Sequence, residues 1–290
     1  MTAYLVQVFT LILIYIIVAA SLNLAIGFTG LLSLGHVALF GIGAYTSAIL
    51  TKDVGVPFMP AFFMAGLLSS LSGLFLTVVT QKLRGDYFAF VTLGFNFLVV
   101  ALAQNWISLT RGSLGIPGIP RPVIFGLTIK SGGPFLLLTT VVTIGSLFFL
   151  YRLTRSRYGR LLEAVRDDSV GASALGKDVY RLKYQCFVVS AFFTGLAGSL
   201  FAHFIQFIDP TSFYLSDIII VLTIVITGGL ASLTGSILGG FIILAIPEIL
   251  RFLPITPEAV GPLRQMIYSV ILILILLFRP RGILGKVDID

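Results

Sequence analysis

Nine apolar stretches, most of them close to the length of a membrane-crossing helix, constrain this chain more than any other feature. They fall near residues 4–25, 30–50, 56–80, 86–108, 134–153, 184–208, 217–227, 233–250 and 262–278. A helix needs roughly 20 apolar residues to cross a bilayer. The seventh stretch is short and the second is rich in glycine, so either is a candidate for a broken or re-entrant helix. Such a pattern predicts an all-α fold: one polytopic transmembrane bundle of about nine spans occupying residues 1–290, with little left for a soluble domain.

Charge agrees with this. Only 11% of the 290 residues are Asp, Glu, Lys or Arg, against about 25% in a soluble domain. The net charge of +7 does not point to nucleic acid, because membrane proteins concentrate Lys and Arg in short cytoplasmic loops. Stretch 4–25 has no basic residues ahead of it and is too long for a signal-peptide core, so it is expected to be a true span. The single Cys186 lies in an apolar run, which leaves no disulfide framework and no thiol metal site.

The largest polar stretch, 152–183, carries Arg152, Arg155, Arg157, Arg160, Arg166, Lys177, Arg181 and Lys183. It is therefore expected in the cytoplasm. Counting spans outward also places Lys82, Arg84, Arg279, Arg281 and Lys286 inside. The outside set is then Lys52, Arg111, Arg121, Lys130, Arg251 and Arg264. The N-terminus comes out external and the C-terminus cytoplasmic.

Gly171 to Asp178 nearly spells the phosphate-binding G-x-x-x-x-G-K-[ST] loop. Asp178 stands where a Mg²⁺-binding hydroxyl is required and adds negative charge beside the phosphates, and no strand pattern precedes it. In the same region Arg160 to Asp168 spaces Leu161, Leu162 and Val165 on one helical face with charges opposite. That pattern predicts a short amphipathic helix, with Gly176 as its stop. It could present a surface to a partner or be a solvated loop that only fixes topology.

A family resemblance enters at this loop. The run 158–168, then Ala172, 174–176 and 181–183, resembles the cytoplasmic loop of branched-chain amino acid ABC transporter permeases of the LivM type. Residues 21–24 with 27–36, 110–120, 228–235 and 278–282 resemble further motifs of that family, in order along the chain. At Arg111 the sequence has an arginine where the family pattern leads one to expect a second glycine.

The resemblance implies a permease subunit of an ATP-driven importer, not itself an enzyme, in a bacterial inner membrane. Its loop would be the coupling segment, with Gly159, Arg160, Glu163, Ala164, Arg166, Asp167, Asp168, Ala172 and Gly176 as coupling residues. Partners would be a sister permease, two ABC ATPase subunits and a soluble substrate-binding protein. ATP and Mg²⁺ would be used by the ATPases, with no cofactor in this chain. The cargo implied is leucine, isoleucine or valine; urea or short amides are the alternative, since their permeases share the architecture. A self-sufficient secondary carrier would instead need an essential buried charge.

Polar groups inside a membrane are costly unless they face protein or water. Asn23, Ser33, His36, Tyr45, Asn96, Gln104 and Thr223 are thus candidate path residues, each weighed against a side chain simply hydrogen-bonded between helices. His36 and His203 lie in separate spans, so no two-histidine metal site is visible. Asp86, Asp217, Glu248 and Arg251 are expected at span ends, within reach of the interface, with Glu248 and Arg251 able to pair. Gly195, Gly198, Gly235 and Gly239 are expected to let helices approach closely. Gly30 to Leu34 echoes Gly229 to Leu233, which small-residue packing or an internal repeat would explain.

Overall fold

A computed structural model describes residues 2–80, 83, 86–124, 126–129, 132–250, 257–279 and 281–285. Lys82, Arg84, Lys130, Arg251 and Lys286, to which the charge reading assigned sides or partners, lie outside these. Twelve α-helices follow in order: α1 (Thr2–Thr29), α2 (His36–Lys52), α3 (Phe58–Thr80), α4 (Asp86–Asn105), α5 (Ile107–Thr110), α6 (Gly133–Thr154), α7 (Arg157–Asp167), α8 (Ser169–Ala174), α9 (Val179–Ile205), α10 (Leu215–Gly228), α11 (Leu233–Leu250) and α12 (Pro257–Phe278). Every apolar stretch of the sequence contains one of the long helices. Seven segments are long and apolar enough to cross a membrane, among them α1, α3, α6 and α9. At 17 residues, α2 is shorter, and α11 is apolar over Leu233–Ile246.

Helix α9 is the hub. It packs against α1, α2 and α3, and 67% of its most apolar window is buried, against 6% for α12. Glycine makes this packing possible. A Cβ on Gly43 would overlap the Gly195 backbone, and one on Gly198 would overlap the Phe40 carbonyl. A second close crossing joins α10 to α11, where Gly228 meets Gly235 and Gly239 meets the Ile224 carbonyl. The four glycines expected to permit close approach do so, because backbone-to-backbone contact leaves no room for a side chain.

The two stretches expected to be broken or re-entrant each hold a continuous helix that starts after an irregular entry. The second stretch is helical only from His36; residues 30–35 form an irregular link after α1, with Gly30 at φ 71°. The seventh is a 14-residue helix, α10, entered through a 3-10 turn at Pro210–Phe213. At 1.5 Å per residue α10 alone is about 21 Å long, and it is together with the turn ahead of it that the Pro210–Gly228 segment is long enough to cross a membrane.

The ends of the bundle differ. At one end α7 lies beside the C-terminal end of α1, with α8 packed on α7 and α9. At the other, residues 106–124 meet the link after α9. There β1 (Ile116–Pro117) pairs antiparallel with β4 (Phe207–Ile208), while β2 (Val123–Ile124) pairs with β3 (Leu127–Thr128). These two ladders are the departures from an all-α fold among the described residues. Arg111 sits here in the left-handed region at φ 63° and pairs with Asp53 at 3.0 Å. Glycine takes that conformation without a Cβ penalty, which accounts for the expectation of a glycine at this position.

Candidate functional site: an anchored surface helix and a polar bundle interior

Ser156 starts α7 by accepting the N–H groups of Tyr158 and Gly159 at 3.1 and 3.3 Å. Leu162 and Val165 are buried against the bundle, while Arg160, Ala164 and Asp167 are exposed. The amphipathic helix expected over 160–168 is therefore present, but it ends earlier. Asp168 leaves the helical conformation, and its carboxylate accepts the N–H groups of Val170 and Gly171 at 3.0 and 2.8 Å. It thereby caps a second helix, α8. Gly176 (φ 75°) follows that second helix, not the first.

Of the proposed coupling residues, Arg160, Ala164, Asp167, Asp168 and Gly176 are exposed, and Glu163 and Arg166 are partly buried. Gly159 and Ala172 are buried. A Cβ on Gly159 would overlap the Thr154 carbonyl, so its role is to let α7 fold back on α6. The Arg166 guanidinium donates to the Gly27 carbonyl at 2.6 Å and to Asp167 at 2.8 Å. It ties the surface helix to the end of α1. Tyr158 adds a tie to the Leu182 carbonyl at 3.2 Å. Burial, with Cys186 and Tyr184 adding to it, pushes the Tyr158 phenol up, so it stays a donor. Beyond the cap, Val170 is 72% and Leu175 81% exposed. A cavity of about 580 Å³ opens beside them, lined in part by Thr77, Leu83, Ser173, Tyr180 and Lys183.

The seven candidate path residues do not form one wall. Asn23 is a staple. Its amide nitrogen, with two hydrogens to give, lies 3.1 and 3.0 Å from the Gly229 and Ser232 carbonyls and 2.7 Å from Ser236 Oγ, and its oxygen accepts Ala231 N–H at 2.9 Å. That holds the break between α10 and α11, where Ala231 is left-handed at φ 58°. Gly27 permits it, because a Cβ there would overlap the Ala231 backbone.

Ser33 and His36 form a second group. His36 Nε2 lies 2.7 Å from Ser190 Oγ, which itself donates to the Ser21 carbonyl at 2.5 Å. Ser190 has one hydrogen and spends it on that carbonyl, so His36 Nε2 must carry the proton and donate. Nδ1 then accepts from Ser33 Oγ at 3.0 Å. Both ring nitrogens are engaged by side chains of this chain.

Tyr45, Asn96 and Gln104 converge on the entry to α10. Asn96 donates to the Phe213 carbonyl at 3.2 Å, Gln104 donates to the Tyr214 hydroxyl at 2.7 Å, and the Tyr45 ring lies 6.0 Å from that of Phe213. The Tyr45 hydroxyl and Asn96 Oδ1 are buried without a partner among the described residues. Thr223 is buried within α10 and donates to the Ile219 carbonyl at 2.7 Å.

Asp217 is not where the sequence suggested. It occupies the first turn of α10, yet its carboxylate accepts the Tyr15 hydroxyl at 2.8 Å. Tyr15 is midway along the 28-residue α1, about 20 Å from either end at 1.5 Å per residue. A span-end position was expected because a short apolar run was assumed to begin at the surface. The entry turn carries the chain inward before α10 starts.

Sequence reasoning also passed over Ser190, Tyr15 and the pair Ser199 and Ser47, which join His203 in one set. In the last, Ser199 donates to Ser47 at 2.7 Å, Ser47 lies 2.9 Å from His203 Nε2, and His203 Nδ1 donates to the Pro120 carbonyl at 2.7 Å. Single serines in apolar runs carry no periodic signal that would have found them.

Residues 4–277 match the family described as branched-chain amino acid transport system / permease component. This chain belongs to that family. It is 35% identical over 96% of its length to the high-affinity branched-chain amino acid transport system permease protein LivM of Escherichia coli K12, covering 69% of that protein. It is 26% identical over 95% of its length to LivH of the same strain, covering 92% of it. The probable branched-chain amino acid transport permease protein LivM of Methanocaldococcus jannaschii is 23% identical, over 94% of this chain and 91% of that one. No solved structure matches the chain. Family membership extends across all the long helices and includes the α7–α8 segment.

Proposed function

We propose that this chain is the permease subunit of an ATP-driven importer and forms the translocation path for branched-chain amino acids. Nine of its helices cross the inner membrane: α1 to α4, α6 and α9 to α12. The α7–α8 end faces the cytoplasm, with the N-terminus outside and the C-terminus inside. Two ABC ATPase subunits hydrolyse ATP with Mg²⁺ and dock on α7 and α8. A sister permease completes the path, and a soluble binding protein delivers cargo to the opposite end.

The observation that carries this reading is the α7–α8 surface. A segment that is merely solvated has no reason to hold Val170 and Leu175 in water. A segment that transmits force needs rigid anchorage, and Arg166 provides it at the end of α1. The relatives' names favour branched-chain amino acids over urea or short amides.

Purification in mild detergent with mass-spectrometric identification of associated chains tests the proposal. ATPase subunits are expected to accompany the wild-type chain and to be lost from Leu175→Asp and Arg160→Glu. Both positions are exposed, so the variants are expected to insert and fold normally. Recovery of the chain alone, moving leucine into liposomes without ATP, would favour a self-sufficient carrier instead.

A further inference from the structure

The cavity of about 580 Å³ beside α8 takes its walls from the ends of four long helices. They are the residues just past α1, the last turn of α3, the first turn of α4 and the start of α9, with α8 completing the enclosure. Helices α1, α3, α4 and α9 are each apolar and long enough to cross a membrane, so their shared end marks the edge of the hydrocarbon. The cavity therefore lies at the level of the lipid headgroups, and it is roomy enough to hold one.

Its walls are chemically divided. Val179, Tyr180, Lys183 and Tyr184 line it from one face of α9, and Ser169 and Ser173 line it from α8. The hydroxyls of Ser169, Ser173, Tyr180 and Tyr184 make no hydrogen bond among the described residues. Lys183 is the one charged side chain among the described residues of the lining, and it is a cation. Asp168 and Asp178 stand outside the lining and spend their carboxylates capping α8 and α9. The remaining wall is apolar, with Leu31, Val78, Leu83 and Phe88. That wall does not close. Val78 is 48% exposed, and it continues an exposed stripe of α3 through Phe75 and Leu71, three and four residues apart.

We propose that this cavity binds the headgroup of an anionic phospholipid from the adjoining leaflet. Lys183 and the hydroxyls around it meet the phosphate, and the acyl chains leave along the Leu71–Phe75–Val78 stripe of α3. Basic pockets between spanning helices at the membrane surface recognise anionic headgroups in this way. A soluble phosphate compound would match Lys183 but would have no use for a wall that opens into hydrocarbon. A zwitterionic lipid would match the stripe but gain less from a lining whose charge is positive. Four of the six residues of α8 line the cavity, so a bound lipid would brace that helix against the spans. The inference rests on the membrane-spanning helices, and neither cargo nor ATPase enters it.

The test is native mass spectrometry of the full chain in mild detergent, titrated with phosphatidylglycerol or with phosphatidylcholine of the same acyl chains. The first phosphatidylglycerol is expected to bind about fivefold tighter than the first phosphatidylcholine, the worth of one lysine at an anionic surface. Lys183→Gln should bring the two lipids to equal affinity. Lys177→Gln, at an exposed cation outside the lining, should leave the preference intact. Ala174→Trp puts a large ring into the space from an exposed position and should weaken the first site for both lipids. Equal affinities in the wild type overturn the proposal whether or not the variants fold, as does an unchanged preference in Lys183→Gln. An equal loss in Lys177→Gln would mean that diffuse surface charge draws the lipid, and it overturns the site as well. Bound phosphatidylglycerol is expected to persist in millimolar inorganic phosphate. Its displacement there would give the cavity to a soluble phosphate compound and overturn the lipid assignment.

Discussion

Two sets of polar side chains lie inside the same apolar bundle and are built in opposite ways. Around Asn23 and His36, donors and acceptors close on one another. Asn23 is within hydrogen-bond reach of four groups at the α10–α11 break and its near surroundings, and both nitrogens of His36 are used by Ser33 and Ser190. Around Asp217 and Arg264, each charge has one phenol and capacity left over. The first set fixes the shape of the chain, since a buried polar group stabilises only when every partner is present. The second is left open on a half-exposed face. Saturation, more than polarity, separates the two sets.

The sharpest way to break this contrast is Asn23→Leu. Leucine is close in size but cannot accept the Ala231 N–H or donate to the Gly229 carbonyl. Each buried group left unpaired costs about 1–3 kcal/mol, and left-handed Ala231 loses the bond that holds it. A loss of about 3 kcal/mol or more is expected, read as a large fall in the thermal unfolding midpoint of the chain in nanodiscs. A midpoint within a degree or two of wild type would mean that the staple is incidental.

Ser190→Ala probes the same set more gently. It removes the acceptor for His36 Nε2–H and the donor to the Ser21 carbonyl, both buried. The expected loss is about 1–2 kcal/mol, measured in the same assay. Adding His36→Leu to Ser190→Ala should cost less than the two single changes summed, because the imidazole then has no unmet proton to hide. Strict additivity would show that the hydrogen bond between them is not the relevant link.

The sequence made the helices legible for a plain reason: hydrocarbon demands long apolar runs, and those runs can be counted. It also exposed the close glycine crossings and the amphipathic 160–168 segment, whose periodicity is local. What it hid were contacts made across distance. Nothing near Ser190 announces His36, 154 positions away, and nothing near Tyr15 announces Asp217, 202 positions away. The echo between 30–34 and 229–233 was visible, and its physical content appears only in three dimensions. Each is a helix-breaking link with a positive-φ glycine, and each has a backbone N–H held by a side chain from another helix, Thr92 for Leu34 and Asn23 for Ala231. Asp217 was misplaced because hydropathy reports how apolar a run is, not how deep it starts.

The smallest effect is expected at Asp217 itself, and it completes the contrast. Asparagine has the same shape, and its oxygen can still accept the Tyr15 hydroxyl. No ion pair is broken among the described residues, and removal of a charge from the bundle interior offsets part of any lost electrostatic attraction. The unfolding midpoint of Asp217→Asn should therefore stay within about 1 kcal/mol of wild type, or rise. If it instead fell as far as that of Asn23→Leu, Asp217 would be a scaffold residue like the others. A preserved midpoint would show that a polar position with capacity left over carries little of the bundle's stability, in contrast to the closed set around Asn23.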